Sequence, residues 1–182
     1  MIEVRWHGRG GQGAVTSVEL LAVAAIAAGK YAQGFPSFGP ERRGAPVAAF
    51  TRIDDKKINV RSGIYEPDVV LILDASLIGM VDVTDGLKPG GKVVVNTTKS
   101  PDEIRKDLNF NGTVATVDGT GIARKEMGVP IANTTMIGAL LKVTGIMGLE
   151  AMKDPVEHRF GRIAQKNINA MKRAYDEIKI SN

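Results

Sequence analysis

The first thirty residues admit few folds. Ile2, Val4 and Trp6 alternate with Glu3, Arg5 and His7, the two-residue period of a strand with one buried face. The run His7-Gly8-Arg9-Gly10-Gly11-Gln12-Gly13 follows at once. From Gln12 to Ala28 the residues Ala14, Val15, Val18, Leu21, Ala22, Ala25 and Ile26 recur at three- and four-residue steps, and Gly29 suits the stop of a helix. Strand, glycine turn and helix together open an α/β domain. The expected fold is therefore α/β: a three-layer α/β/α sandwich with a mixed, mostly parallel sheet and a Rossmann-like opening unit.

The rest of the chain keeps the alternating rhythm. Gln33 to Pro46 holds three glycines and three prolines in fourteen residues, which predicts a loop of functional length. Val47 to Ile53 predicts a strand, and the Asp54-Asp55-Lys56-Lys57 turn predicts a hairpin partner at Ile58-Asn59-Val60. Val69 to Leu73 is an apolar run between Asp68 and Asp74, as in a strand buried on both faces. A short helix from Ser76 to Val83, strands Lys92 to Asn96 and Thr113 to Val117, and a helix opening at Ser100-Pro101 follow. A segment through Met127, another from Thr135 to Ile146 and one long helix from about Pro155 to Ile178 complete the pattern. With no internal repeat and no linker, residues 1–182 are expected to form one domain.

Composition removes whole classes of chemistry. The chain has no cysteine, so it supplies no thiolate for an iron–sulfur cluster, a Cys-type zinc site or a catalytic thiol. Its two histidines, His7 and His158, lie far apart in sequence, and no metal-ligand spacing is visible. The longest apolar run, Leu20 to Ala28, is nine residues, where a membrane-spanning helix needs about 20. The N-terminus lacks the order of a secretory signal, so a cytoplasmic protein is expected. A net charge of +4, with its basic residues scattered or balanced locally rather than gathered into one block, gives only weak support for a nucleic-acid footprint.

Gly8, Gly10 and Gly13 satisfy G-x-G-x-x-G between strand and helix, where backbone N–H groups and the positive helix end meet phosphates. Tight packing or contact with another protein explains the same glycines. The acidic residue that a nicotinamide dinucleotide site requires about 20 residues beyond the loop is missing between Tyr31 and Phe38. Arg42 and Arg43 suit phosphate or carboxylate recognition, and Phe35 and Phe38 suit a flat ring or a partner. Equally, the phenylalanines can plug the loop onto its own core while the arginines pair with Glu41. His7 is either a proton carrier or a packed, loop-orienting residue. Asp74 and Asp118 are either ligand-facing or helix N-caps. No G-x-S-x-G elbow surrounds Ser37, Ser62 or Ser76, and no catalytic residue is assigned.

Two of these motifs together are more specific than either alone. His7-Gly-Arg-Gly-Gly-Gln-Gly13, followed by Phe35-Pro-Ser-Phe-Gly-Pro-Glu-Arg-Arg-Gly44 leading into Thr51-Arg52-Ile53, resembles the gamma subunit of the 2-oxoacid:ferredoxin oxidoreductases. Pro67-Asp-Val-Val-Leu-Ile-Leu-Asp74, Pro89-Gly-Gly91 and Asn133-Thr-Thr-Met-Ile-Gly138 extend the resemblance over nearly the whole chain. It implies a subunit of an enzyme of anaerobic metabolism that oxidatively decarboxylates a 2-oxoacid to an acyl-CoA and passes electrons to ferredoxin. Thiamine diphosphate is then expected between alpha and beta subunits, and iron–sulfur clusters on cysteine-bearing subunits that include a ferredoxin-like delta subunit. This chain would hold no cofactor alone, contact no membrane or nucleic acid, and serve coenzyme A approach and active-site closure. The cofactor-facing residues implied are Gly8, Arg9, Gly10, Gly11, Gln12, Gly13, Ser37, Gly39, Arg42, Arg43 and Asn133. A free-standing nucleotide-binding regulatory domain is the alternative. The resemblance covers enzymes for pyruvate, branched-chain oxoacids, 2-oxoglutarate and indolepyruvate, and nothing in the chain chooses among them.

Overall fold

A computed structural model describes residues 1–37 and 43–181. A seven-stranded sheet carries the order β2-β3-β1-β4-β5-β6-β7, with β1 Ile2–Arg9, β2 Tyr31–Pro36, β3 Pro46–Asp54, β4 Val69–Ile72, β5 Lys92–Asn96, β6 Thr113–Val117 and β7 Lys179–Ser181. β1, β4, β5 and β6 are parallel neighbours, while β3 runs antiparallel to both β1 and β2, and β7 antiparallel to β6. β2 therefore points the same way as β1. The sheet is mixed and mostly parallel, as the alternating rhythm of the sequence requires.

The parallel centre explains the unbroken apolar run. Val70, Ile72, Val93, Val95 and Val114 face one side, and Leu71, Val94 and Ala115 the other. The thicker layer holds α1 (Ala14–Ala27), α3 (Gly119–Met127), α4 (Asn133–Thr144), α5 (Lys153–Phe160) and α6 (Ala164–Glu177), packed on Val4, Trp6, Leu71 and Val94. The thinner layer is α2 (Pro101–Leu108), which buries Ile104, together with a 3-10 turn at Ala75–Leu77 that buries Leu77. These are the three expected layers. α4 and α6 approach so closely that a Cβ at Gly138 would lie 2.0 Å from the Met171 carbonyl, which is why that turn of α4 carries no side chain.

Four local expectations are corrected. Gln33 to Pro36 belongs to β2, not to a loop; Pro36 is tolerated at the end of an edge strand, and a Cβ at Gly34 would lie 2.6 Å from the Val18 carbonyl of α1. β3 pairs with β2 and β1 rather than with Ile58-Asn59-Val60, which forms no strand. Helix after Ser76 is limited to the single 3-10 turn. The expected long C-terminal helix is broken at Gly161, whose φ of 50° ends α5 before α6 begins, and the chain then adds β7 at the far edge.

On the face away from α1, β1 presents the polar residues Glu3, Arg5 and His7, and Arg52 of β3 stands opposite Glu3. Arg52, 1% exposed, places Nε 2.7 Å from Glu3 Oε1 and donates from Nη2 to the Gly63 carbonyl at 3.0 Å. Lys88 reaches Glu3 at 3.3 Å and Asp68 at 2.9 Å. Removing one member of a buried ion pair strands the other charge, at a cost of about 3 kcal/mol, whereas replacing both by apolar groups is near neutral. Glu3→Leu is therefore expected to lower unfolding stability by about 3 kcal/mol, and Glu3→Leu with Arg52→Leu to recover most of it. Urea denaturation of the two variants checks this, and simple addition of two losses would contradict it.

Candidate functional site

The site lies where β1 and β4 end side by side. After β1 the chain turns into α1 and crosses toward β2; after β4 it turns to the opposite side toward β5. Such a reversal opens a crevice at the carboxyl ends of the strands, where α/β sheets bind ligands. Gly8 to Gly13 forms one lip of it.

This lip is built by local hydrogen bonds. Gln12 Oε1 accepts from the Arg9 backbone N–H at 2.7 Å, and Gln12 Nε2 donates to Asp74 Oδ2 at 2.8 Å. Arg9 Nε also reaches Asp74 Oδ2 at 3.2 Å, while its Nη1 donates to the Gly44 carbonyl at 3.0 Å and its Nη2 to Ser76 Oγ at 2.8 Å. The Arg9 guanidinium thus serves the loops themselves. Burial raises the Asp74 pKa, but donation from Ser76 and Gln12 and the charge of Arg9 outweigh it and hold the carboxyl below its usual range.

The two glycine-bearing motifs meet as backbone. Gly10 N–H donates to the Ala45 carbonyl at 2.9 Å and Gly44 N–H to the Gly10 carbonyl at 3.0 Å. Arg43 stands exposed beside Gly11, with its Cγ 3.9 Å from where a Gly11 Cβ would lie. Gly11 has φ 93°, a backbone region that disfavours side chains, yet no other described atom lies within 4 Å of that position. Gly13 differs. At φ 81° it begins α1 with no side-chain cap, and a Cβ there would lie 2.4 Å from Asn133 Nδ2. Gly13 therefore lets the starts of α1 and α4 close on each other, where Asn133 Oδ1 accepts from the Thr134 N–H at 2.8 Å.

A cavity of about 90 Å³ sits between these helix starts, lined by Gly11, Gln12, Leu73, Asn96, Thr120 and Asn133. Asn96, at the end of β5, donates to the Leu73 carbonyl and to Thr120 Oγ1 and accepts from the Thr120 N–H, which ties α3 to the sheet. Asp118 accepts from the Gly121 N–H at 2.8 Å, so of its two sequence readings the N-cap is the one realised. Asp74 caps the 3-10 turn through Ser76 and also anchors the glycine turn, a second task that its place after an apolar strand only hinted at.

Of the candidate residues, Gly8 to Gly13, Arg43 and Asn133 come together. A Cβ at Gly8 would press on Leu73 at 3.3 Å, a packing role. Ser37 continues the β2 ladder by donating to the Ala48 carbonyl at 2.9 Å, one strand removed from β1. Phe35 packs on Phe50 at 5.4 Å and beneath Arg52, against its own sheet. Phe38, Gly39, Glu41 and Arg42 lie outside the described residues. Among the described residues no three of His, Asp and Glu gather as metal ligands, and no helix is long and apolar enough to cross a membrane.

His7 lies near the end of β1, on its polar face. Its Nε2 accepts from Arg5 Nε at 3.1 Å, which leaves the ring proton on Nδ1. Burial, with the Arg5 guanidinium adding to it, pulls the His7 pKa down to about 4.

Fold and crevice define a doubly wound α/β domain whose glycine turn and uncapped helix start form an anion-compatible lip. The family model described as pyruvate ferredoxin/flavodoxin oxidoreductase matches residues 3–177. Over 179 residues the chain is 54% identical to the pyruvate/ketoisovalerate oxidoreductases common subunit gamma of Thermococcus kodakarensis, with 97% of each chain covered. It is 52% identical to pyruvate synthase subunit PorC of Methanocaldococcus jannaschii, over 98% of this chain and 97% of that one. The crystal structure of the Thermotoga maritima pyruvate oxidoreductase subunit PORC superposes with a TM-score of 0.89 at 42% identity, covering 100% of this chain and 98% of that one. The chain belongs to the pyruvate ferredoxin/flavodoxin oxidoreductase family, as a gamma-type subunit of a multi-subunit 2-oxoacid oxidoreductase.

The state of His7 sets a pH dependence. The fold accommodates the neutral ring, whereas the histidine of the unfolded chain takes up a proton below about 6.5. Stability is whole above that pH and falls as the pH drops from 6.5 towards 4, by up to about 3 kcal/mol. His7→Gln, which keeps an acceptor for Arg5, is expected to flatten this part of a stability-against-pH profile. Identical slopes for both proteins would contradict the assignment.

Proposed function

We propose that this chain presents the glycine turn and Arg43 to the diphosphate of coenzyme A when an acyl group is transferred to the cofactor's thiol. A diphosphate is held by fixed N–H donors and planar cations. Support comes from one juxtaposition: the uncapped start of α1, the open side of Gly11 and the exposed Arg43 share one rim of the crevice. Ser37 and Asn133 are proposed to contribute further polar contacts, and Gly39 and Arg42, outside the described residues, are proposed to bind the same cofactor. Arg9 and Gln12 shape the turn.

The crevice also argues for a shared site. Its volume of about 90 Å³ falls well short of the roughly 300 to 1,000 Å³ that encloses a drug-sized ligand. This chain therefore grips one part of the cofactor, and the remainder rests on neighbouring subunits. Those neighbours are proposed to be alpha and beta subunits, with thiamine diphosphate between them, and a ferredoxin-like delta subunit carrying iron–sulfur clusters that lead to ferredoxin. Thiamine diphosphate would supply the carbanion chemistry of decarboxylation, and the clusters would carry the electrons. A chain without cysteine supplies no thiolate to such a cluster. In this reading residues 1–182 act as one cytoplasmic domain that turns over no 2-oxoacid alone. The free-standing regulatory domain is set aside, because the relatives are enzyme subunits along their full length.

Arg43→Ala and Arg42→Ala, in complex reconstituted with the remaining subunits, test the reading. Each lost charge-assisted hydrogen bond costs on the order of 1.5 to 3 kcal/mol, so the KM for coenzyme A is expected to rise roughly 10- to 150-fold. Gly11→Ala is expected to fold and to lower the same coenzyme A-dependent rate. Unchanged coenzyme A dependence in an intact complex would overturn the proposal, and dissociation on size-exclusion chromatography would assign the arginines to a subunit interface instead.

A further inference from the structure

At the mouth of the crevice Asp74 has both of its carboxylate oxygens taken up by the loops that form it. Oδ1 accepts from the Ser76 N–H at 3.0 Å and from Ser76 Oγ at 2.6 Å. Oδ2 accepts from Gln12 Nε2 and Arg9 Nε. Because Gln12 also accepts from the Arg9 N–H, the three residues form a closed ring across the base of the glycine turn. Arg9 then carries the ring outward. Its Nη1 bonds the Gly44 carbonyl, next to Arg43, while Gly10 grips Gly44 and Ala45 by their backbone.

We propose that Asp74 is a positioning residue for the coenzyme A step, acting through Arg9 and Gln12 to set the glycine turn and Arg43 at a fixed separation. The inference rests on the reading of the crevice given above. A carboxylate suits the task because four donors converge on it and none of them is an acceptor that an amide N–H could satisfy, save the Ser76 hydroxyl. Its pairing with Arg9 also offsets a negative charge that would otherwise face an incoming phosphate. Asparagine has the same shape but must turn its NH₂ towards either the Ser76 N–H or the donors of Arg9 and Gln12. Turned towards Ser76, the NH₂ releases the ring from the 3-10 turn; turned towards Gln12 and Arg9, it opens the ring itself, and either way the common anchor of the turn and Arg43 is weakened. Substrate decarboxylation has no such dependence, because the anchor touches only the rim.

Kinetics of the reconstituted complex test this with Asp74→Asn, Arg9→Lys and Arg43→Ala side by side. Lysine at position 9 keeps the charge but lacks the fork that spans Asp74 and Gly44. Both Asp74→Asn and Arg9→Lys are expected to raise the KM for coenzyme A about tenfold. The 2-oxoacid KM and the turnover number at saturating coenzyme A should change less than threefold, and the complex should keep its size. Where Asp74→Asn does not assemble, Arg9→Lys carries the test. An unchanged coenzyme A KM, or a parallel loss in every parameter, would overturn the positioning role. If Arg43→Ala raises the coenzyme A KM while the other two variants do not, only this inference fails. If none of the three moves it, the coenzyme A reading of the crevice fails as well.

Discussion

The antiparallel ladder between β1 and β3 is the constraint from which the site follows. It runs from Ile2 opposite Ile53 to Arg9 opposite Pro46, and the Gly10–Ala45 bond extends the same register by one step. The glycine turn therefore leaves the sheet at the point where the long loop returns to it. Gly10 and Gly44, far apart in sequence, thus meet across one crevice. Glycine at position 10 and the Gly44-Ala45 pair serve this meeting of backbones, and the left-handed Gly11 and Gly13 then swing the chain into α1.

Around that joint the side chains divide their work. Trp6 and Val4 face the helix layer and bury β1, with Trp6 Nε1 donating to Thr51 Oγ1 at 3.1 Å. Glu3, Arg5 and His7 face the other way: Arg52 and Lys88 meet the charge of Glu3, and the Val83 carbonyl and the neutral His7 ring accept from Arg5. Arg9 continues that polar row into the crevice. One strand thus supplies core, charged network and one lip of the crevice through its two-residue period, which ties the stability of the polar face to the placement of the glycine turn.

Much of this was legible in the residues. β1, β4, β5, β6 and α2 carry strong local signals: strict alternation, apolar runs bounded by Asp or Pro-Gly-Gly, and the Ser100–Glu103 capping box that the structure realises. β2 was hidden because Gly34 and Pro36 read as loop residues, although Gly34 is there to admit α1 and Pro36 to end an edge strand. The break at Gly161 was masked by apolar residues that keep helical spacing on both sides of it. β7 has only three residues and depends on β6 for its conformation, so no local pattern announces it. At the site, the glycines and Arg43 were visible as motif. The anchoring of the turn by Asp74 was not, because Arg9, Gln12 and Asp74 become neighbours only when β1 and β4 pair in register.

In the proposed role the glycine turn and the returning loop act together on coenzyme A within the assembled enzyme. Hydrogen–deuterium exchange of the complete complex, with and without coenzyme A, reads both lips at once. Slower exchange on adding the cofactor is expected at the amides of Gly10 to Thr16 and Arg43 to Ala45, with α2 on the opposite face unchanged. Unaltered exchange in both segments, with the complex intact and the cofactor bound, would exclude that role.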